Sequence, residues 1–401
     1  MRAIASIAGT TRPLSILVRT LAVVSAFVVA ACEPVGMNTA SGPSIGQQID
    51  PGAPVPVALL VPGGSGDADL EWLSRSLTNA ARMAAADAEG AQIDLRVYQT
   101  GTSAAAAVAR ANEAADDGAK IILGPLFAES ANAVGTAMRA RNINVLSFSN
   151  NAEIAGGNLF VLGNTFDNVA DRLIGYGVSQ NKRRLLIVAE DDVAGQVGAA
   201  AIAGAAARNG ATVAGRVNHP VSQSGIDGVA PQIANAARSG QVDAIFMTAN
   251  NLAVLPYLTE TLAEAGVTSQ VTQFMGLTRW DEPASRLSMP QLQGGWFALP
   301  DTAMAGQFAS RYRAAHGEAP HILGSLAYDG VAAIAAGARA GNRNALTKSG
   351  LTQSSGFRGI NGLFRFRPDG SNQRAMSVAT IRNNTVVILD PAPRRFGRFG
   401  S

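Results

Sequence analysis

The 401-residue chain holds a single cysteine, Cys32. One thiol excludes an intrachain disulfide. Because Cys32 precedes any stretch able to build a globular domain, nothing around it would lower its pKa for catalysis. Histidine is almost as scarce, and His219, His316 and His321 are too scattered to suggest a metal cluster. No apolar run reaches the roughly 20 residues that a bilayer-spanning helix needs. A GxSxG elbow, a GxxxxGKS/T phosphate loop and a GxGxxG after the first strand are all missing. Fragments of an acyl-serine pattern occur at Ser179 to Lys182, Ser149 to Asn151 and Lys348 to Gly350, but in the wrong chain order. No enzyme, metal or cofactor is expected.

What is present begins with an export signal. Arg2, Arg12 and Arg19 form a positive n-region, and Thr20 to Ala31 is a short apolar stretch that ends in small residues. With cysteine directly after Val29-Ala30-Ala31, this region is similar to a bacterial lipobox. Residues 1–31 are therefore expected to be a removed signal, with Cys32 lipid-modified as a membrane anchor. Glu33, standing where an Asp would signal retention, favours the outer over the inner membrane. Residues 32–54, rich in Gly, Pro, Ser, Asn and Gln, read as a flexible tether. Of 32 basic and 29 acidic residues, three arginines and no acid precede Cys32, so the remainder carries 29 of each. The apparent basicity is no argument for a nucleic-acid partner. Residues 392–401, with Arg394, Arg395, Arg398, Phe396 and Phe399, read as a basic, solvated tail.

From residue 55, continuous apolar runs alternate with alanine-rich helical stretches. VPVALLV (55–61), IDLRVYQ (93–99), KIILGPL (120–126) and NVLSFSN (144–150) form one series, and LFVLG (159–163) leads out of it. RLLIVAE (184–190), ATVAGRV (211–217), DAIFMTA (243–249) and VTQFMGL (271–277) form a second. Apolar strands joined by helices indicate parallel sheets covered on both faces. The expected fold class is α/β, with two Rossmann-like, doubly wound lobes. Residues 55–163 and 298–355 are assigned to lobe 1, and residues 164–297 and 356–391 to lobe 2. Crossovers are expected near 160–166, 297–301 and 350–358, a hinge on which the lobes could close. Two hairpins end the chain, turning at Pro368-Asp369-Gly370 and Asn383-Asn384.

In such sheets ligands meet the carboxyl ends of the strands. These ends hold Gly63 to Gly66, Gly124 to Ser130 and Ser147 to Asn151 in the first lobe. In the second they hold Glu190 to Gly195, Thr248 to Asn251 and Gly276 to Trp280. A cleft between them is expected to be polar. The alternative is that these are ordinary turns and helix caps.

GAKIILGPLFAESANAV (118–134), NVLSFSNN (144–151) and AYDGVAAIAA (327–336) resemble the type I periplasmic binding proteins of the leucine/isoleucine/valine-binding class. GLTRWDEPAS (276–285), QGGWFALPD (293–301) and GFRGINGLFRFRPDG (356–370) resemble the alphaproteobacterial penicillin-binding protein activator lipoproteins. The resemblance implies ligand contacts at Ser130, Ser149 and Asn150 in the first lobe. In the second it implies contacts around Asp192, Ala194, Thr278 and Arg279. Ala194 stands where the family often has tyrosine in D-x-x-Y-G, and Arg279 stands in the loop where leucine binders place an acid. A ligand ammonium would then face a cation, an unfavourable arrangement. The expected function is a nonenzymatic envelope lipoprotein that engages a peptidoglycan synthase or cell-wall fragment. The alternative is the solute-binding component of an amino-acid importer that takes a small amino-acid-like ligand. Asp329, within AYDG, is read as structural rather than as a ligand contact.

Overall fold

The computed structural model describes residues 45–249 and 253–397. The signal, Cys32 and the start of the tether lie outside the described residues. The first lobe begins with β1 (Val55–Val61), α1 (Ala68–Ala86), β2 (Ile93–Gln99) and α2 (Ala104–Asp116). It continues with β3 (Ile121–Leu123), α3 (Ala128–Arg139), β4 (Asn144–Ser147) and β5 (Leu159–Val161). The strands run parallel in the order β2-β1-β3-β4-β5. Alternate side chains of β1 serve opposite cores. Val57, Leu59 and Val61 pack with α1 on one face, and Ala58 and Leu60 with α2 and α3 on the other. That two-sided burial is why the strand reads as an unbroken apolar run.

The second lobe starts with α4 (Phe166–Ser179), β6 (Arg184–Glu190), α5 (Val193–Arg208), β7 (Thr212–His219) and α6 (Gln223–Arg238). It continues with β8 (Ala244–Met247), α7 (Val254–Glu264), β9 (Gln273–Gly276) and β10 (Trp296–Leu299). The chain then returns to the first lobe through α8 (Thr302–His316), α9 (Ser325–Arg339) and α10 (Lys348–Leu351). β11 (Phe357–Gly359), β12 (Gly362–Phe366) and β13 (Asn372–Arg374) follow as a small antiparallel sheet. β14 (Ser377–Arg382) and β15 (Thr385–Asp390) complete the second sheet in the order β15-β14-β10-β9-β8-β6-β7. Their turn places Asn383 and Asn384 at positive φ, which asparagine tolerates better than most residues.

Three boundaries differ from expectation. The last crossover lies at Ala375 and Met376, between β13 and β14, not at 350–358. Phe357, Phe364 and Phe366 are buried in the same core as β1 and α1, so the first of the two hairpins belongs to the first lobe. The tether is held from Ile45 onward, well before residue 54. Ile49 is buried in that core, Gly46 N–H donates to Asn142 Oδ1 (2.8 Å), and Ile49 N–H donates to the Arg343 carbonyl (3.0 Å). The tail also packs, since the Arg365 guanidinium lies 4.7 Å over the Phe396 ring and donates to the Gly397 carbonyl (2.7 Å).

Buried polar groups stitch the crossovers together. Asn372 Nδ2 donates to the carbonyls of Val161 (2.8 Å) and Gly163 (2.7 Å). Arg374 donates to the Leu162 carbonyl (2.7 Å) and to Asp329 Oδ2 (2.9 Å). Asp329, fully buried in α9, also accepts from Ile360 N–H (2.8 Å). It is enclosed so tightly that a Cβ on Gly359 would lie 2.0 Å from its Oδ1. Its role is structural.

Candidate functional site

The carboxyl ends of both sheets face a cavity of about 680 Å³ between the lobes. β4 runs out into Phe148, Ser149 and Asn150 on one side, and β9 into Leu277, Thr278 and Arg279 on the other. A sharp backbone bend opens the first side. Gly124, after β3, takes φ +87°, and a Cβ there would meet the Leu60 carbonyl oxygen at 2.2 Å. Only glycine fits both demands.

Local hydrogen bonds hold the polar groups. Ser147 Oγ donates to the Pro125 carbonyl (3.0 Å) and accepts from Ser149 N–H (3.0 Å). Ser149 Oγ accepts from Asn151 N–H (3.1 Å), which fixes where its own hydroxyl can donate. Opposite, Thr278 Oγ1 donates to the Ala249 carbonyl (3.3 Å). Arg279 Nε donates to Asp281 Oδ1 (2.9 Å), its Nη2 contacts Asp281 Oδ2, and Glu282 Oε1 lies 3.4 Å away. Burial alone would lower the Arg279 pKa, but bonding to Asp281 and the charges of Asp281 and Glu282 raise it. The Arg286 guanidinium donates to the Glu282 carbonyl (2.9 Å) in the same corner, so two carboxylates stand beside two guanidiniums and offset their charge.

The structure brings Ser149, Asn150, Thr278 and Arg279 together around the cavity. Ser130, Asp192 and Ala194 do not line it. Ser130 is buried in the first turn of α3. Asp192 caps α5, accepting from Gly195 N–H at 2.6 Å, and Ala194 is exposed on the same turn. The cavity is also less polar than expected. Phe148, Phe166, Leu277, Leu323 and Met376 supply much of its wall. Phe148 and Leu277 adjoin the polar residues already singled out, so the signal for them was their place at the same strand ends.

A smaller cavity of about 350 Å³ adjoins the first and shares Asn164, Arg279, Ile322, Leu323, Leu326 and Met376 with it. Phe308 and His321 also line it. Burial pulls the His321 pKa below its ordinary value, against the opposing charge of Asp69. Its Nδ1 accepts from Leu323 N–H (3.1 Å), consistent with a neutral ring protonated at Nε2. Among the described residues, no group of three or more His, Cys, Asp or Glu side chains could hold a metal ion.

Several solved structures share this architecture. A putative branched-chain amino acid ABC transporter from Rhodospirillum rubrum is 17% identical, with a TM-score of 0.70, over 84% of this chain and 100% of that one. An ABC transporter substrate-binding protein from Desulfitobacterium hafniense, in complex with leucine, is 17% identical with a TM-score of 0.61, over 84% and 100% of the two chains. A solute-binding protein from R. palustris, in complex with benzoate, is 15% identical with a TM-score of 0.55, over 85% and 98%. At these identities the likeness is one of fold, the two-lobed type I arrangement. A search of curated proteins finds no match. The periplasmic binding protein family profile matches residues 54–385, nearly the whole described chain, and the protein belongs to that family.

Proposed function

We propose that the protein is a nonenzymatic solute-binding protein of the periplasm that closes its lobes on a small carboxylate with an apolar body. One observation carries this reading. The inter-lobe cavity is mainly apolar, with hydrogen-bonding groups on opposing lobes at Ser149 and Thr278. A few convergent polar groups in an apolar cavity orient a ligand whose body is buried by the rest. Leucine and benzoate, held by two of the structural neighbours, share that chemistry. Asp281 and Glu282 offset the charge of Arg279, which lowers the barrier to a free amino acid, and the importer reading leads. Lipid attachment at Cys32 would keep such a protein at the membrane.

A second reading, activation of a peptidoglycan synthase, draws on a different observation. The three segments that resemble activator lipoproteins converge on the smaller cavity, through Arg279, through Leu299 and Pro300, and through Asn361. Thermal unfolding of the chain from Glu33 onward, with leucine, benzoate and muropeptides in turn, separates the readings. A native-state ligand at 100 times its dissociation constant stabilises by about 2.7 kcal/mol. A shift with leucine or benzoate supports the importer, and a shift with muropeptides alone supports a wall role. No shift with any of them defeats the small-carboxylate reading.

A further inference from the structure

We propose a second binding site, separate from the inter-lobe cleft, that takes a phosphate-type anion. It is a cavity of about 690 Å³ behind the hinge, lined by Arg172, Arg208, Arg365, Arg367, Arg374 and Arg395. Arg172 and Arg208 come from α4 and α5 of the second lobe, Arg374 from β13 of the first, and Arg395 from the C-terminal segment. The segment of Arg374, Ala375 and Met376 borders both this cavity and the smaller one beside the cleft.

The charges do not cancel. Arg172 pairs with Asp390 (2.7 Å), Arg208 with Asp171 (3.0 Å) and Asp167 (3.2 Å), and Arg374 with Asp329 (2.9 Å). Among the described residues, those four carboxylates stand against the five guanidiniums of Arg172, Arg208, Arg367, Arg374 and Arg395, a formal excess of one positive charge. Asp369, at the tip of the β12–β13 hairpin, is turned onto the backbone and hydroxyl of Ser371 (2.8 and 2.6 Å). Among the described residues no ion pair engages Arg367 or Arg395. Arg365 and Arg367, two apart at the end of β12, repel each other, which adds to burial in lowering the Arg365 pKa. Planar guanidiniums such as those of Arg367 and Arg395, lining this hollow, suit the oxygens of a phosphate or pyrophosphate.

The probe is inorganic pyrophosphate, titrated calorimetrically into the chain from Glu33 onward at low salt. A parallel arm measures sedimentation with phosphatidylglycerol vesicles against phosphatidylcholine vesicles. The double variant R367Q/R395Q removes two charges from half-buried or exposed positions, and R183Q/R343Q removes two from exposed positions elsewhere. Circular dichroism confirms that both remain folded. Pyrophosphate binding should weaken at least tenfold in R367Q/R395Q and less than twofold in the control. It should also weaken steeply with added salt. If R367Q/R395Q abolishes binding to phosphatidylglycerol vesicles while pyrophosphate binds neither protein, the anion is a lipid headgroup and the site stands. Failure of both probes to bind, or equal losses in the two double variants, overturns it.

Discussion

Asp329→Ala tests the account of the hinge most directly. Asp329 is fully buried and the Arg374 side chain is 5% exposed, so removing the carboxylate leaves a largely buried guanidinium without its ion-pair partner. The remaining partners are the Leu162 carbonyl and the Phe364 ring, 4.9 Å away, neither of which carries a neutralising charge. Breaking one half of such a buried pair costs about 3–5 kcal/mol. Most of that arises from the stranded cation rather than from the lost attraction. Removing both charges should therefore be cheaper than the sum of the single changes. A cycle of D329A, R374A and D329A/R374A, followed by urea unfolding at constant ionic strength, should show at least about 2 kcal/mol of coupling. D329N retains an acceptor for Ile360 N–H but not the charge, and should fall between wild type and D329A. A cost below about 1 kcal/mol for D329A, or strictly additive behaviour, would refute the reasoning.

Two other outcomes follow from the geometry. Asp243 accepts from Arg183 N–H (3.0 Å), Arg184 N–H (2.9 Å) and the Arg184 guanidinium (2.7 Å), and the Arg184 side chain leads the influences that pull its pKa down to about 2. A carboxyl depressed in the folded state contributes stability above its unfolded pKa of about 3.9, and that stability is lost as pH falls toward 2. Because Arg184 is about half exposed, D243N should cost only about 1 kcal/mol at pH 7 in chemical denaturation, with the gap closing near pH 2. At the cleft, S149A and T278A should each weaken the ligand found by thermal shift about tenfold. D192A should leave that affinity unchanged while lowering stability by about 1 kcal/mol through loss of the α5 cap.

The features visible in the sequence are those set by neighbouring residues. β6 coincides with RLLIVAE because both its faces are buried, and an asparagine pair marks the β14–β15 turn. Ser149, Asn150, Thr278 and Arg279 were accessible for the same reason, since the end of a strand in a parallel sheet is itself a place in the fold. Ser130, Asp192 and Ala194 depended on which way the first turn of a helix faces, and packing decides that. Assigning the β11 to β13 segment to the second lobe follows from the β14–β15 hairpin that comes after it, whereas Phe357, Phe364 and Phe366 reach back across the chain to β1. Ile49 gives no signal in the sequence because one apolar residue in a polar stretch carries no period, and its partners lie far along the chain.

That late return of the chain to the first lobe has a consequence for biogenesis. Each lobe is assembled from separated segments. The first lacks Phe364 and Phe366 from its core until β12 is present, and the second lacks Val378, Ala379 and Ile381 until β14 is present. Cooperative units fold when their cores can close. The face of the first sheet that packs against α1 does so only once β12 is present, and the second lobe only once β14 is present. In a polypeptide ordered in this way the two lobes complete their cores within a few dozen residues of each other, so they condense together rather than one after the other.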